Sequence, residues 1–214
     1  MTEPWVHDAA AFFRELGADN DRAWWQAHRE RYDDARARFV ALLDALDGWG
    51  PWRVYRPNND ARFGNQAPYK TFLGAVAERS DGVGAFVQVS ALGLLVGTGV
   101  PMPAPDQLAA LRAAIADDDA GPALEAAIAA VRAAGATVHG GRYEPLKRVP
   151  RGYPADHPRA ELLGWKGLEA NVRPSTASGV PDALRAGDPV HAWLGRHVGP
   201  SALTPEERFA PKRR

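Results

Sequence analysis

The stretch TFLGAVAERSDGVGAFVQVSALGLLVGTG, residues 71–99, decides how this chain folds. Its apolar residues fall in three short segments, 71–77, 85–89 and 94–99, parted by breaks that carry Gly, Ser and Asp. β-Branched and aromatic residues suit a pleated surface, and short Gly-containing breaks suit reversals. The three segments therefore predict successive antiparallel strands.

Upstream, Phe12, Phe13 and Leu16 mark a short helix over 9–16. Asp19-Asn20 offers an N-cap for a long helix over about 21–46. Its apolar positions, Trp25, His28, Tyr32, Ala35, Phe39, Leu42 and Leu46, recur in threes and fours and form one stripe facing a core. Residues 52–56 have strand character, and Pro57-Asn58-Asn59-Asp60 has turn chemistry. Downstream, Pro105 and Pro122 open two helices, and Gly135 stops the second. Residues 137–139 and 168–172 read as two further strands. Asp156 is placed to cap a helix through Leu162 and Leu163 to Trp165, and Asp188-Pro189 opens a final helix.

Strands gathered together, with helices before and after them, predict an α+β fold: an antiparallel sheet packed by a long N-terminal amphipathic helix and further C-terminal helices. The expected organisation is a single domain over 1–198, followed by a disordered tail over 199–214 that lacks apolar periodicity.

The 214 residues include 26 Lys and Arg against 26 Asp and Glu, so the net charge is zero. That argues against attraction to nucleic acid or membranes through bulk charge, which needs a basic excess. Cysteine is absent, which excludes disulfides, thiol nucleophiles and thiolate metal sites. No apolar run approaches the ~20 residues of a membrane helix, and residues 1–8 hold no apolar leader core. A cytoplasmic location without membrane contact is the expectation.

The charge is segregated. Residues 53–79 hold five basic and two acidic side chains, and residues 142–173 hold seven and four. Residues 103–130 hold one and five. The two basic stretches are where anion recognition is to be sought.

In the first stretch, Arg56, Asp60 and Arg62 leave a strand and enter a turn near Tyr69 and Lys70. Arginines oriented by a carboxylate grip carboxylate or phosphate in bidentate fashion. The same grouping can equally pin a loop onto the sheet. In the second stretch, Lys147, Arg148 and Arg151 precede Asp156 and His157. His157, read as lying in the first turn of a helix, would be kept neutral by the helix dipole and aimed at an anion.

Standard catalytic signatures are missing: there is no Gly-x-Ser-x-Gly, no phosphate loop ending in Gly-Lys-Ser/Thr, and no His-Glu-x-x-His. Gly97-Thr98-Gly99 begins like a dinucleotide loop, but Pro101 and Pro103 follow where a helix is needed. No cofactor is expected. The six histidines form no pair at metal-ligand spacing, so no metal is expected either.

Three patterns carry a resemblance. The first is Phe12-Phe13-Arg14-Glu15-Leu16 with Asn20, Arg22, Trp24, Trp25 and Tyr32. The second is Arg56, Asp60, Arg62 and Phe63, then Pro68-Tyr69-Lys70-Thr71. The third is Leu146-Lys147-Arg148, Pro150-Arg151-Gly152-Tyr153, Asp156-His157-Pro158, Glu161-Leu162-Leu163 and Lys166. In order and spacing, over roughly 9–198, the chain resembles the bacterial and fungal family catalogued as domain of unknown function 2461. The resemblance implies a fold and a set of site residues, and no reaction. It has departures: Gly64-Asn65-Gln66-Ala67 replaces a charged Ser-Lys-Asp-Lys, His28 stands where Asn is usual, and Asn59 where Arg is common.

The leading functional expectation is recognition, with or without turnover, of a small anionic ligand carrying phosphate or carboxylate. Arg56, Asp60, Arg62, Tyr69, Lys70, Lys147, Arg148 and Arg151 would line its pocket, with Asp60 as base and His157 as proton donor if chemistry follows. The alternatives are nucleic-acid binding, with Tyr55, Tyr69 or Tyr153 stacking on bases, and a structural or interaction module without a ligand.

Overall fold

The computed structural model describes residues 3–60 and 67–208. Three helices come first: α1 (Pro4–Ala18), α2 (Arg22–Ala27) and α3 (Arg29–Asp44). Four strands follow, β1 (Arg53–Val54), β2 (Phe72–Glu78), β3 (Gly84–Ser90) and β4 (Gly93–Val100). Then come α4 (Pro105–Ala116), α5 (Ala120–Ala133), β5 (Thr137–His139), α6 (Ala160–Leu163) and β6 (Leu168–Val172). The last helices are α7 (Val180–Ala186), α8 (Asp188–His197) and α9 (Pro205–Arg208).

The fold is α+β. Its strands form a six-stranded antiparallel sheet in the order β1-β2-β3-β4-β6-β5. β1 pairs Arg53 with Val76 and Val54 with Ala75 on β2, while β5 pairs His139 with Glu169 and Thr137 with Asn171 on β6. The strands read from residues 71–99 are present, and β3 alternates buried and half-buried positions along its length, the pattern of a half-covered sheet.

The chain divides into two compact units, one drawn from Met1–Glu78, Ala85–Val96 and Arg173–Leu184, the other from Arg79–Gly84, Gly97–Val172 and Arg185–Arg214. In the first unit α1 packs on α3. The Phe12 ring is its hub, with centroids 5.1 Å from Phe13, 5.4 Å from Trp24 and 6.1 Å from both Trp25 and Tyr32.

The long helix expected over 21–46 is interrupted. His28 has φ −115° and ψ 12°, closing α2 and preceding α3. Its Nδ1–H donates to the Trp24 carbonyl at 2.8 Å, and its ring stacks on Trp24 at 4.0 Å. The His28 backbone N–H still reaches the Trp24 carbonyl at 3.1 Å, so the ring adds a second donor to that carbonyl where the helix breaks. The cap also differs: Asp21 accepts from Trp24 N–H at 2.8 Å, and neither Asp19 nor Asn20 does so. On the stripe, Leu43 is buried where Leu42 was expected to be, because successive steps of four rotate the face. The short helix read over 9–16 starts at Pro4, whose fixed φ suits a first helical position.

In the second unit α5 packs on α8, α4 and β5 around Leu111, Ile115, Leu124, Val131, Leu163 and Trp193. Gly99, with φ 148°, lets β4 close on β6, since a Cβ there would sit 2.2 Å from the Leu168 carbonyl oxygen. Within the stretch read as a disordered tail, Ser201 Oγ donates to Asp106 at 2.8 Å and Ala202 N–H does so at 2.8 Å. Asp106 lies in the first turn of α4, where a carboxylate is favoured by the helix dipole.

Arg159 is the strongest polar anchor of this unit. It is 8% exposed and donates through Nε to Ile115 O at 2.6 Å, and through its terminal nitrogen to Ala116 O at 3.3 Å and Asp117 O at 2.9 Å. It thus satisfies the end of α4. Gly121 makes room for it, because a Cβ there would lie 2.3 Å from Arg159 Nε and 2.6 Å from Ile115 O. Gly121→Ala is therefore expected to lower unfolding free energy by about 1–3 kcal/mol in urea titration, and wild-type stability in that variant would contradict this packing.

Candidate functional site

In the first unit, the residues around Arg56 form a narrow two-stranded ribbon. Lys70 N–H donates to Pro57 O at 2.8 Å, Asn59 N–H donates to Pro68 O at 2.9 Å, and Asn58 pairs antiparallel with Tyr69. Two asparagines fasten this ribbon. Asn59 Nδ2 donates to Ala67 O at 2.7 Å and to Tyr69 O at 3.1 Å. Asn20 clasps Tyr69 from both sides, accepting from its N–H at 3.1 Å and donating to its carbonyl at 2.8 Å. An amide side chain can do this because it carries one acceptor and one donor side by side.

The charged groups stand on this frame. An Arg56 terminal nitrogen lies 3.8 Å from Asp60 Oδ2, with the arginine side chain 69% exposed. Lys70 Nζ donates to Asn58 O. Burial, followed by the nearby Arg56 charge, holds the Lys70 amine below its ordinary range, and Asp60 opposes that shift. Arg56, Asp60 and Lys70 are thus brought together. Tyr69 has a different place: it is 9% exposed, and its ring stacks on Trp25 at 4.1 Å and 7°. Arg62 lies outside the described residues.

In the second unit, Lys147 and Arg148 line a cavity of about 560 Å³ together with Tyr153 and Glu161. Arg151 is exposed and is not among the residues lining it, nor is His157. The helix expected to start at Asp156 starts at Ala160 instead, with Arg159 as its N-cap residue. His157 explains the delay: its Nδ1 accepts from Arg159 N–H at 3.0 Å and its carbonyl accepts from Ala160 N–H at 2.9 Å, fixing a turn before the helix. Asp156 is exposed and caps nothing, so the dipole argument for His157 does not apply.

One polar group escaped the sequence reading. His191 on α8 lies 2.8 Å from Asp81 Oδ2 through Nε2 and 2.9 Å from Thr98 Oγ1 through Nδ1. With Asp81 ionised, Nε2 carries the proton and Nδ1 accepts from the Thr98 hydroxyl. Asp81 also accepts from Val83 N–H at 3.0 Å. The order is that of acid, base and nucleophile, but Thr98 is only 2% exposed. In this fold the row ties α8 to β4. Its members come from positions 81, 98 and 191, and no local spacing announces them. Among the described residues, no group of three or more His, Asp or Glu is placed to hold a metal ion.

Burial of Asp81 works against ionisation, but hydrogen bonds from His191 and Val83 N–H, with the charge of Arg79 and that of His191 when it is protonated, hold its carboxyl below the ordinary 3.8. A folded-state value below the unfolded one gives stability that is complete above the unfolded value and lost as pH falls through the folded one. Stability from urea titration should therefore drop less steeply between about pH 5 and about pH 2 in Asp81→Asn than in the wild type. Equal slopes would contradict the role given to this carboxylate.

No helix among the described residues is long and apolar enough to cross a membrane. No curated protein and no solved structure matches the chain. The family model described as a conserved hypothetical protein (DUF2461) matches residues 8–180, which takes in the Phe12–Tyr32 pattern, the Arg56–Lys70 ribbon and the loop from Leu146 to Lys166. On that match, over more than half of its length, the chain belongs to the conserved hypothetical family DUF2461.

Proposed function

We propose that this protein recognises a small anionic ligand carrying phosphate or carboxylate, with Arg56 and Lys70 as its contacts. The observation that carries the reading is that Arg56, paired with Asp60, and Lys70 stand near one another on a ribbon whose backbone is fastened by Asn20 and Asn59. Among the described residues, two positive groups stand near one negative group. Burial lowers the Lys70 amine most and the Arg56 charge adds to it, and an anion would relieve the second of these. The guanidinium presents planar donors suited to two oxygens, while the ammonium acts as a compact charge beside it. Asp60 Oδ2, 3.8 Å from an Arg56 terminal nitrogen, offsets part of its charge. Because the frame is rigid before binding, little ordering entropy opposes capture of the ligand.

The test is titration of the full chain with inorganic phosphate and with acetate at low salt, followed by amide NMR. Arg56→Gln and Lys70→Gln should each weaken phosphate binding about tenfold or more, as expected for loss of a charge-assisted hydrogen bond. Melting temperatures should stay near the wild-type value, because surface charges contribute little stability. Phosphate binding unchanged in both variants, or undetectable in the wild type, would overturn the reading.

A further inference from the structure

We infer that the cavity walled by residues 145–161 binds an amphipathic anion: a carboxylate or phosphate ester attached to a compact apolar body such as an aromatic ring or a short acyl chain. The inference shares with the proposed function only the sign of the ligand's charge. It concerns different residues, held in the other compact unit.

The hollow is lined by apolar Leu146, Val149 and Ala160 and by Lys147 and Arg148, with Glu161 as the one carboxylate. Among the described residues, Lys147, Arg148 and Glu161 have no ion-pair partner, so the hollow keeps an excess positive charge that nothing in the fold neutralises. Leu146 is 39% exposed, one of few large apolar side chains left open to water. A hollow that exposes leucine beside unpaired cations matches a ligand with an apolar body and an anionic head.

A cavity of about 560 Å³ falls within the range of about 300–1,000 Å³ typical of small-molecule sites. Bare phosphate or acetate would occupy a small part of it and leave Leu146 and Val149 wet. An aromatic or acyl group fills the remainder and removes that apolar surface from water.

The walls of the hollow are tied in place by backbone hydrogen bonds. Leu146 N–H donates to Gly164 O at 2.8 Å, and the chain beyond is tied back by Lys166 N–H to Gly140 O at 3.1 Å. Val149 and Tyr153 pack against the core of their unit. The turn at His157, closed by His157 N–H to Pro154 O at 3.2 Å, fixes the chain between the lining residues Ala155 and Ala160. A loop of this length without secondary structure is uncommon in a compact unit, and ligand binding is one of the usual roles of such a loop.

The experiment uses the full chain and four probes: phenyl phosphate, hexanoate, inorganic phosphate and benzylamine, each titrated by amide NMR. Phenyl phosphate and hexanoate should shift resonances of residues 145–161 and bind there at least tenfold more tightly than inorganic phosphate. Benzylamine should not bind there. Arg148→Gln and Lys147→Gln should each weaken phenyl phosphate about tenfold, and Leu146→Ser should weaken it while leaving inorganic phosphate unchanged. Arg148 and Lys147 are exposed, so these variants test the site even if Leu146→Ser perturbs the loop. Equal binding of benzylamine, no shifts in 145–161, or full affinity in both cation variants would overturn the inference. So would binding to phosphatidylserine vesicles without binding of phenyl phosphate, which would assign the patch to a lipid surface. Arg56→Gln should leave phenyl phosphate at 145–161 untouched. If Arg56→Gln loses inorganic phosphate while 145–161 stays silent to phenyl phosphate, this inference fails and the Arg56 reading stands. The reverse pattern sinks that reading alone.

Discussion

Everything proposed for the first unit depends on one side-chain amide. Asn20 accepts from Tyr69 N–H and donates to Tyr69 O, so the strand leading to Lys70 cannot slide against the segment that carries Arg56. A satisfied pair of this kind fixes both position and register, because a shift by one residue would leave a donor and an acceptor unmatched. Trp25 stacks on the Tyr69 ring and makes the same residue an apolar anchor. Lys70 is thereby held near Arg56 despite the repulsion between them. That is the constraint from which an anion preference follows.

The second unit uses a buried cation differently. Arg159 spends its donors on carbonyls at the end of α4, which makes it part of the scaffold. Lys147 and Arg148, a short way upstream, make no such bonds and face a hollow. The contrast separates cations used for folding from cations left for a ligand, and it comes from geometry, since all three residue types look alike in sequence. The His191 row is a comparable scaffold device, with the imidazole joining Asp81 to Thr98.

What could be read from the sequence followed physical locality. The strands within 71–99 were legible because short apolar segments and Gly-containing breaks lie in adjacent residues. The N-terminal apolar stripe was legible from its local spacing, except at Leu42, where Leu43 is buried instead, and at His28, whose backbone interrupts a helical pattern that periodicity alone extends. Arg56, Asp60 and Lys70 were legible as a charged turn. Asn20 was misread as a cap because its true partner is 49 positions away. The helix expected from Asp156 failed because His157 satisfies the neighbouring N–H groups first. Long-range hydrogen bonds between unlike elements leave no local signature, and the whole His191 row was missed on that account.

The most direct measurement of the central claim is the Lys70 side-chain titration, followed by NMR of the ε-methylene carbon without and with saturating phosphate. Burial and the Arg56 charge depress the Lys70 amine in the free protein. An anion bound between the two cations would offset the Arg56 charge, so the Lys70 value should rise when phosphate is added, and it should rise less in Arg56→Gln. A Lys70 value that stays where it was at saturating phosphate would contradict the account.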